Sequence, residues 1–135
     1  MTTAKGATET TYVLVLFLPA RRRIKVGALG PIAFQPGIYF YVGSGGRAPG
    51  RRIARHARRR KRKFWHIDFL TAHAEVIGAL LFEASRSVEC SVAGALSEAF
   101  APVPRFGSSD CTCASHLFHA VVEVPARTEN QGGDT

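Results

Sequence analysis

Hydrophobic positions along this chain follow two spacings. Residues 11–18 (TYVLVLFL) are almost continuously apolar and rich in β-branched side chains, which predicts a buried strand stopped at Pro19. Residues 22–26 (RRIKV) read as a short second strand, whose charges suit a sheet edge. Turns follow across 27–37, where Gly27, Gly30, Pro31, Pro36 and Gly37 fall, with room for a short strand at 32–34. Residues 37–42 (GIYFYV) alternate: Ile38, Phe40 and Val42 share one face, expected toward the core, and Tyr39 and Tyr41 share the other, toward a helix or cleft. A Gly-Ser-Gly-Gly turn then leads to Pro49 and a helix over 50–61, with a thin inner stripe of Ile53, Ala54 and Ala57. Residues 64–72 form an aromatic-rich helical or turn segment, and 75–83 (EVIGALLFE) read as another buried strand. Ser87 caps a helix over 88–100, with Val88, Val92, Leu96 and Phe100 on its stripe. A loop over 101–110 precedes a last strand at 117–124. The expected class is α+β: a small, mainly antiparallel sheet flanked by helices, in one domain over 11–125 with flexible tails at 1–10 and 126–135.

Composition adds little to the fold but much to function. The chain has 135 residues, of which 46% are hydrophobic, an ordinary globular value. No apolar run is long enough for a membrane span, and no secretory leader is evident. Three cysteines do not resemble a disulfide framework, so a reducing cytoplasmic compartment is expected. The net charge is +8 and the basic residues are clustered. Between Gly43 and Ile67 there is no Asp or Glu, while Arg47, Arg51, Arg52, Arg55, Arg58, Arg59, Arg60, Lys61, Arg62 and Lys63 all fall there. An unbalanced block of this kind attracts polyanions, and nucleic acid is the expected partner, DNA before RNA. A membrane surface fits less well, because the segment lacks the bulky apolar stripe of an interfacial helix.

Inside this block lie Tyr41-Val42-Gly43-Ser44-Gly45, then Arg52, then His56, the last two one helical turn apart. With Thr11-Tyr12-Val13 upstream, and the strings RIARH, FWHID, VECSV and FGSSDCTCASHLF, this resembles the Uri branch of the GIY-YIG nuclease superfamily over about residues 11–122. Gly37-Ile38-Tyr39 spells the first half of the motif, but it shares a strand with Tyr41. Tyr12 is the better equivalent, with 22–36 as an inserted hairpin. The resemblance implies a GIY-YIG-like fold and hydrolysis of phosphodiester bonds in DNA, in repair or processing.

It also implies roles. Tyr12 or Tyr41 orients or deprotonates the attacking water. Arg52 pairs with the non-bridging phosphate oxygens, for which its planar fork is suited. His56 moves a proton or holds a phosphate. Glu89 binds one Mg²⁺ or Mn²⁺, which stabilises the leaving oxygen. Ser44, Arg47, Arg51, Arg55, Arg58, Arg59, Arg62 and Lys63 are the candidate nucleic-acid contacts. Plainer accounts stand beside these: Tyr41 packs its ring, and Glu89 offsets a helix dipole. Trp65 is either core or a platform for an unpaired base. Asp68 either orients His66 or pairs with an arginine of the preceding helix.

Cys111, Cys113 and His116, with Cys90 and the His66/Asp68 pair, leave a zinc site possible, although Cys-x-Cys-x-x-His is an unusual spacing and small core cysteines explain it as well. Residues 106–110 read as a phosphate-presenting loop or an Asp-stabilised turn. Three functions therefore compete: a metal-dependent endonuclease, a catalytically inactive nucleic-acid-binding module on the same fold, and a zinc-stapled structural domain.

Overall fold

The computed structural model describes residues 10–44, 49–63, 65–83, 87–107 and 115–120, without the side chains of 83 and 87–89. The expected tails lie outside this description except for Thr10, which is buried at the start of the first strand. So do Arg47, residues 108–114 and the end of the last expected strand.

Among the described residues, seven strands and three α-helices follow one another: β1 (Thr10–Leu18), β2 (Arg22–Lys25), β3 (Pro31–Phe34), β4 (Gly37–Ser44), α1 (Pro49–Ala57), α2 (His66–Thr71), β5 (Glu75–Glu83), α3 (Ser87–Ser97), β6 (Ala101–Pro102) and β7 (Leu117–Ala120). Strands β5-β1-β4-β7-β6 form one sheet, antiparallel at every pairing, and β2-β3 form a separate hairpin. This is the α+β arrangement expected, and the hairpin inserted between β1 and β4 is present.

The sheet is covered on both faces, because β1 and β4 are apolar on both. On one face Tyr12, Leu14, Leu16, Leu18, Tyr39 and Tyr41 join Ile67 and Leu70 of α2, Ile24, Val26 and Phe34 of the hairpin region, and Phe106. On the other, Val13, Val42 and Phe118 pack under Val92, Ala93 and Leu96 of α3, and Phe40 meets Phe100 with ring centroids 5.0 Å apart. The expected polarity of β4 holds in part: Phe40 and Val42 meet a core, the one under α3, and Tyr41 meets His56 of helix α1, but the tyrosines do so from within the larger core. Tyr39 and Tyr41 face the larger core, and Phe40 and Val42 face α3. Alternation separated the two sets but carries no label for which face meets the larger core. Tyr39 tolerates burial because its hydroxyl donates to the Gln35 carbonyl at 2.5 Å.

Two further expectations are corrected. Strand β5 is not buried: it is the outermost strand, and Ile77, Leu80 and Leu81 are each more than half exposed. Helix α1 stops at Ala57 rather than Lys61, and Ala54 and Ala57 are exposed, so the inward positions are Ile53 and His56. The early stop has a physical cause. Residues 58–63 are six consecutive cations with no acid at helical spacing, and Lys61 turns back to donate to the carbonyls of His56 (3.1 Å) and Arg58.

Candidate active site

Register builds the site. Tyr12 pairs with Gly43 and Leu14 with Tyr41, so the two tyrosines come from neighbouring strands and lie diagonally on the same face. Gly43 has a steric duty here. A Cβ at this position would fall 2.6 Å from the Tyr12 hydroxyl, so the Tyr12 ring lies directly over the glycine. Gly107, at φ +70°, does the same for Tyr41: a Cβ there would meet the ring at 3.0 Å.

Helix α1 lies against β1 and β5 and points His56 toward the two tyrosines. Tyr12 Oη and His56 Nε2 are 2.8 Å apart, and the Tyr41 ring meets His56 edge-on at 6.1 Å. Tyr12 is 2% exposed and His56 is 1% exposed. Burial pushes the His56 pKa down, to about 4, with Lys61, Arg55 and Arg52 adding to the effect and Asp68 opposing it. The imidazole is therefore neutral at pH 7. Its Nδ1, also buried, finds no hydrogen-bond partner among the described residues. A neutral imidazole against a phenol is an arrangement through which a proton can pass.

Around this pair sits a layer of arginine and tryptophan. Arg52 donates to the Ser44 carbonyl at 2.5 Å, and its guanidinium lies 5.0 Å from the centre of the Trp65 ring. The Arg55 guanidinium lies 4.7 Å from the same ring, and the ring is 6.0 Å from that of His56. Trp65 is thus a half-buried platform for two arginines, a role that sequence reading did not assign to it. The signal was its place just after the basic run. Arg55 does not point outward as a nucleic-acid contact. It grips Asp68 with two hydrogen bonds, at 2.8 and 3.1 Å, and donates to the Arg62 carbonyl. Asp68 is fully buried and also accepts the Trp65 backbone N–H at 2.8 Å. Of the two roles open to Asp68, the arginine partner is the one found. His66 instead accepts the Gly107 N–H at its Nδ1, and burial lowers its pKa.

The other candidates divide as follows. Arg51, Arg58, Arg59, Arg62 and Lys63 are exposed, and Ser44 is half-buried with its carbonyl engaged by Arg52. Arg47 and the side chain of Glu89 lie outside the described residues; the helix that carries Glu89, α3, covers the opposite face of the sheet from His56. Cys111 and Cys113 also lie outside them. Cys90 lines a small cavity of about 120 Å³ with Ala93, Gly94, Ser97, Pro102, Ser115 and Phe118. Among the described residues no group of three or more His, Cys, Asp or Glu side chains is placed to hold a metal ion, and no helix is long and apolar enough to cross a membrane.

Fold and site together define an antiparallel α+β domain with a buried tyrosine–histidine pair beneath a basic, tryptophan-backed helix. The chain belongs to the family described as Domain of unknown function DUF123, whose profile matches residues 11–131. No curated protein and no solved structure matches it.

Proposed function

We propose that this protein is an endonuclease of the GIY-YIG type, of the Uri branch, hydrolysing phosphodiester bonds in DNA. The observation that carries the reading is the 2.8 Å contact between Tyr12 and neutral His56, with Tyr41 beside the pair and Arg52 on the same basic helix as His56. In this reading His56 takes the Tyr12 proton, and the Tyr12 oxygen in turn accepts a proton from the attacking water. Arg52, held by Ser44 and Trp65, turns its remaining donors to the non-bridging oxygens as charge gathers there. The exposed cations Arg51, Arg58, Arg59, Arg62 and Lys63 hold the strand.

The reading includes one Mg²⁺ or Mn²⁺ with Glu89 as its protein ligand. Such an ion would supply charge neutralisation at the leaving oxygen. Among the described residues no acidic group beside His56 is open to hold it: Asp68 is committed to Arg55, and α3, which carries Glu89, covers the opposite face of the sheet.

A second reading, an inactive binding module, is favoured by one observation: Tyr12 and His56 are almost wholly closed to solvent. One assay separates the two. Supercoiled, single-stranded and branched DNA are incubated with wild type, Tyr12→Phe and Arg52→Lys, with Mg²⁺, Mn²⁺ or EDTA. A nuclease cuts at least one substrate, is silenced by EDTA and loses about 100-fold or more of its rate in each variant. DNA binding without cleavage under every condition establishes the module instead.

A further inference from the structure

The cationic surface does not end at the segment joining α1 to α2. We propose that the β2–β3 hairpin is a second nucleic-acid-binding element, in which Arg22 joins Arg59 and Lys63 around His73 to hold backbone phosphates beyond the scissile bond; this rests on the nucleic-acid reading above.

The hairpin is a docked part of the molecule rather than a loose insertion. Ile24, Val26 and Phe34 are buried in the larger core, and a Cβ on Gly27 would lie 3.6 Å from the Phe69 ring of α2. Strand alternation gives Arg22 the same side as buried Ile24, which is the side turned toward the core and α2, yet Arg22 lies at the strand's outer end and is exposed. His73 directly follows α2, with its N–H on the Leu70 carbonyl. The α1–α2 connection, which carries exposed Arg59 and Lys63, is tied to the end of α2 by Lys61, which donates to the Thr71 hydroxyl at 2.8 Å. Strand β2 packs against the same helix, so cations of both elements flank the end of α2 near His73, and the fields of Arg22, Lys63 and Arg59 add to burial in holding the His73 pKa down. Arg23 and Lys25 extend the positive surface along the outer side of β2, where both are exposed.

The charge count around this point calls for an anion. The nearest acid to His73 in sequence is Glu75, and Asp68, five residues before His73, is paired with Arg55. The three cations come from two elements separated by both core and sequence, so the surface has width as well as length. Three separate side chains at the rim of a rigid core suit the repeated single charges of a phosphodiester chain. A membrane surface would also want exposed bulky apolar groups between the cations, and the side chains alternating with them here, Ile24 and Val26, are buried.

The test is equilibrium binding of labelled duplex and single-stranded DNA in EDTA, measured against salt. The full chain is compared as wild type, Arg22→Gln, Arg22→Lys, and the double variant Arg59→Gln/Lys63→Gln. Arg22→Gln is expected to weaken binding by about 3- to 10-fold and to reduce the slope of log affinity against log salt by about one. Arg22→Lys is expected to keep the slope, since the charge is retained, and thermal melts should show all variants folded. The proposal is overturned if Arg22→Gln binds like wild type while Arg59→Gln/Lys63→Gln is impaired, or if the wild type does not bind DNA at all. Loss on Arg22→Gln in a protein that never cleaves supports the hairpin contact and counts against the nuclease reading alone.

Discussion

Ten cations between residues 47 and 63 look alike in the sequence, yet they are not alike in the molecule. Arg55 and Lys61 turn inward. Arg55 clamps buried Asp68, while Lys61 donates to Thr71 at 2.8 Å and to two backbone carbonyls at the end of α1. Arg58 and Arg59 stay exposed. Removing Arg55 leaves Asp68 as an uncompensated buried charge, so Arg55→Ala is expected to cost about 2–3 kcal/mol. Arg58→Ala is expected to change stability by no more than about 0.5 kcal/mol. Urea midpoints of the two variants check this, and equal midpoints would mean that the Arg55–Asp68 pair does not hold α1 to α2. The tyrosines divide in the same way. Tyr39, in the string that spells GIY, is pinned to the Gln35 carbonyl and stacked on His119 at 4.6 Å, and burial raises its pKa to about 12. It is structural, and Tyr12 is the tyrosine that meets His56.

At the scale of elements, β5 illustrates what hydrophobic pattern does and does not say. Of its nine residues all but Ile77 pair with β1, the register stepping over that residue between Val15 and Leu16. This bulge re-aims the strand, so Val76 and Ala79 both reach the larger core while Leu80 and Phe82 face outward. Continuous apolarity marked β5 as a strand, but its position at the edge comes from the pairing order. Leu14→Ala, fully buried in β1, is expected to lose about 2–5 kcal/mol. Leu80→Ala, at 57% exposure, is expected to lose less than about 1 kcal/mol. A comparable loss from both, in denaturant melts, would mean that β5 is covered in solution.

For the whole molecule, one buried histidine, His56, and two half-buried ones, His66 and His73, tie stability to pH. His56 has its pKa pushed down to about 4, and His66 and His73 are lowered in the same direction. In the unfolded chain these rings take up protons near the ordinary histidine value, about 6.5, so the unfolded state binds more protons as pH falls. Stability is therefore full above about pH 6.5 and declines toward about pH 4, with His56 alone accounting for up to about 3 kcal/mol. Urea midpoints from pH 7.5 to 4.5 should fall in wild type and fall much less in His56→Gln. A slope unchanged by that substitution would remove His56 as the source.

The sequence by itself determined the α+β class, most strand and helix positions, the inserted hairpin, and Tyr12, Tyr41, Arg52 and His56 as residues to be considered together. The class and the element positions follow from local periodicity and turn chemistry, readable within a few residues; the hairpin as an insertion and the grouping of the four residues follow from the family resemblance. Tertiary structure alone decided that the tyrosines of β4 face the larger core, that Trp65 backs two arginines, that Arg55 belongs to Asp68, and that β2 and the α1–α2 connection both lie against α2. Each of these depends on which buried surfaces meet. A hydrophobic or cationic side chain states that it needs a partner or solvent, and only the packed chain chooses which.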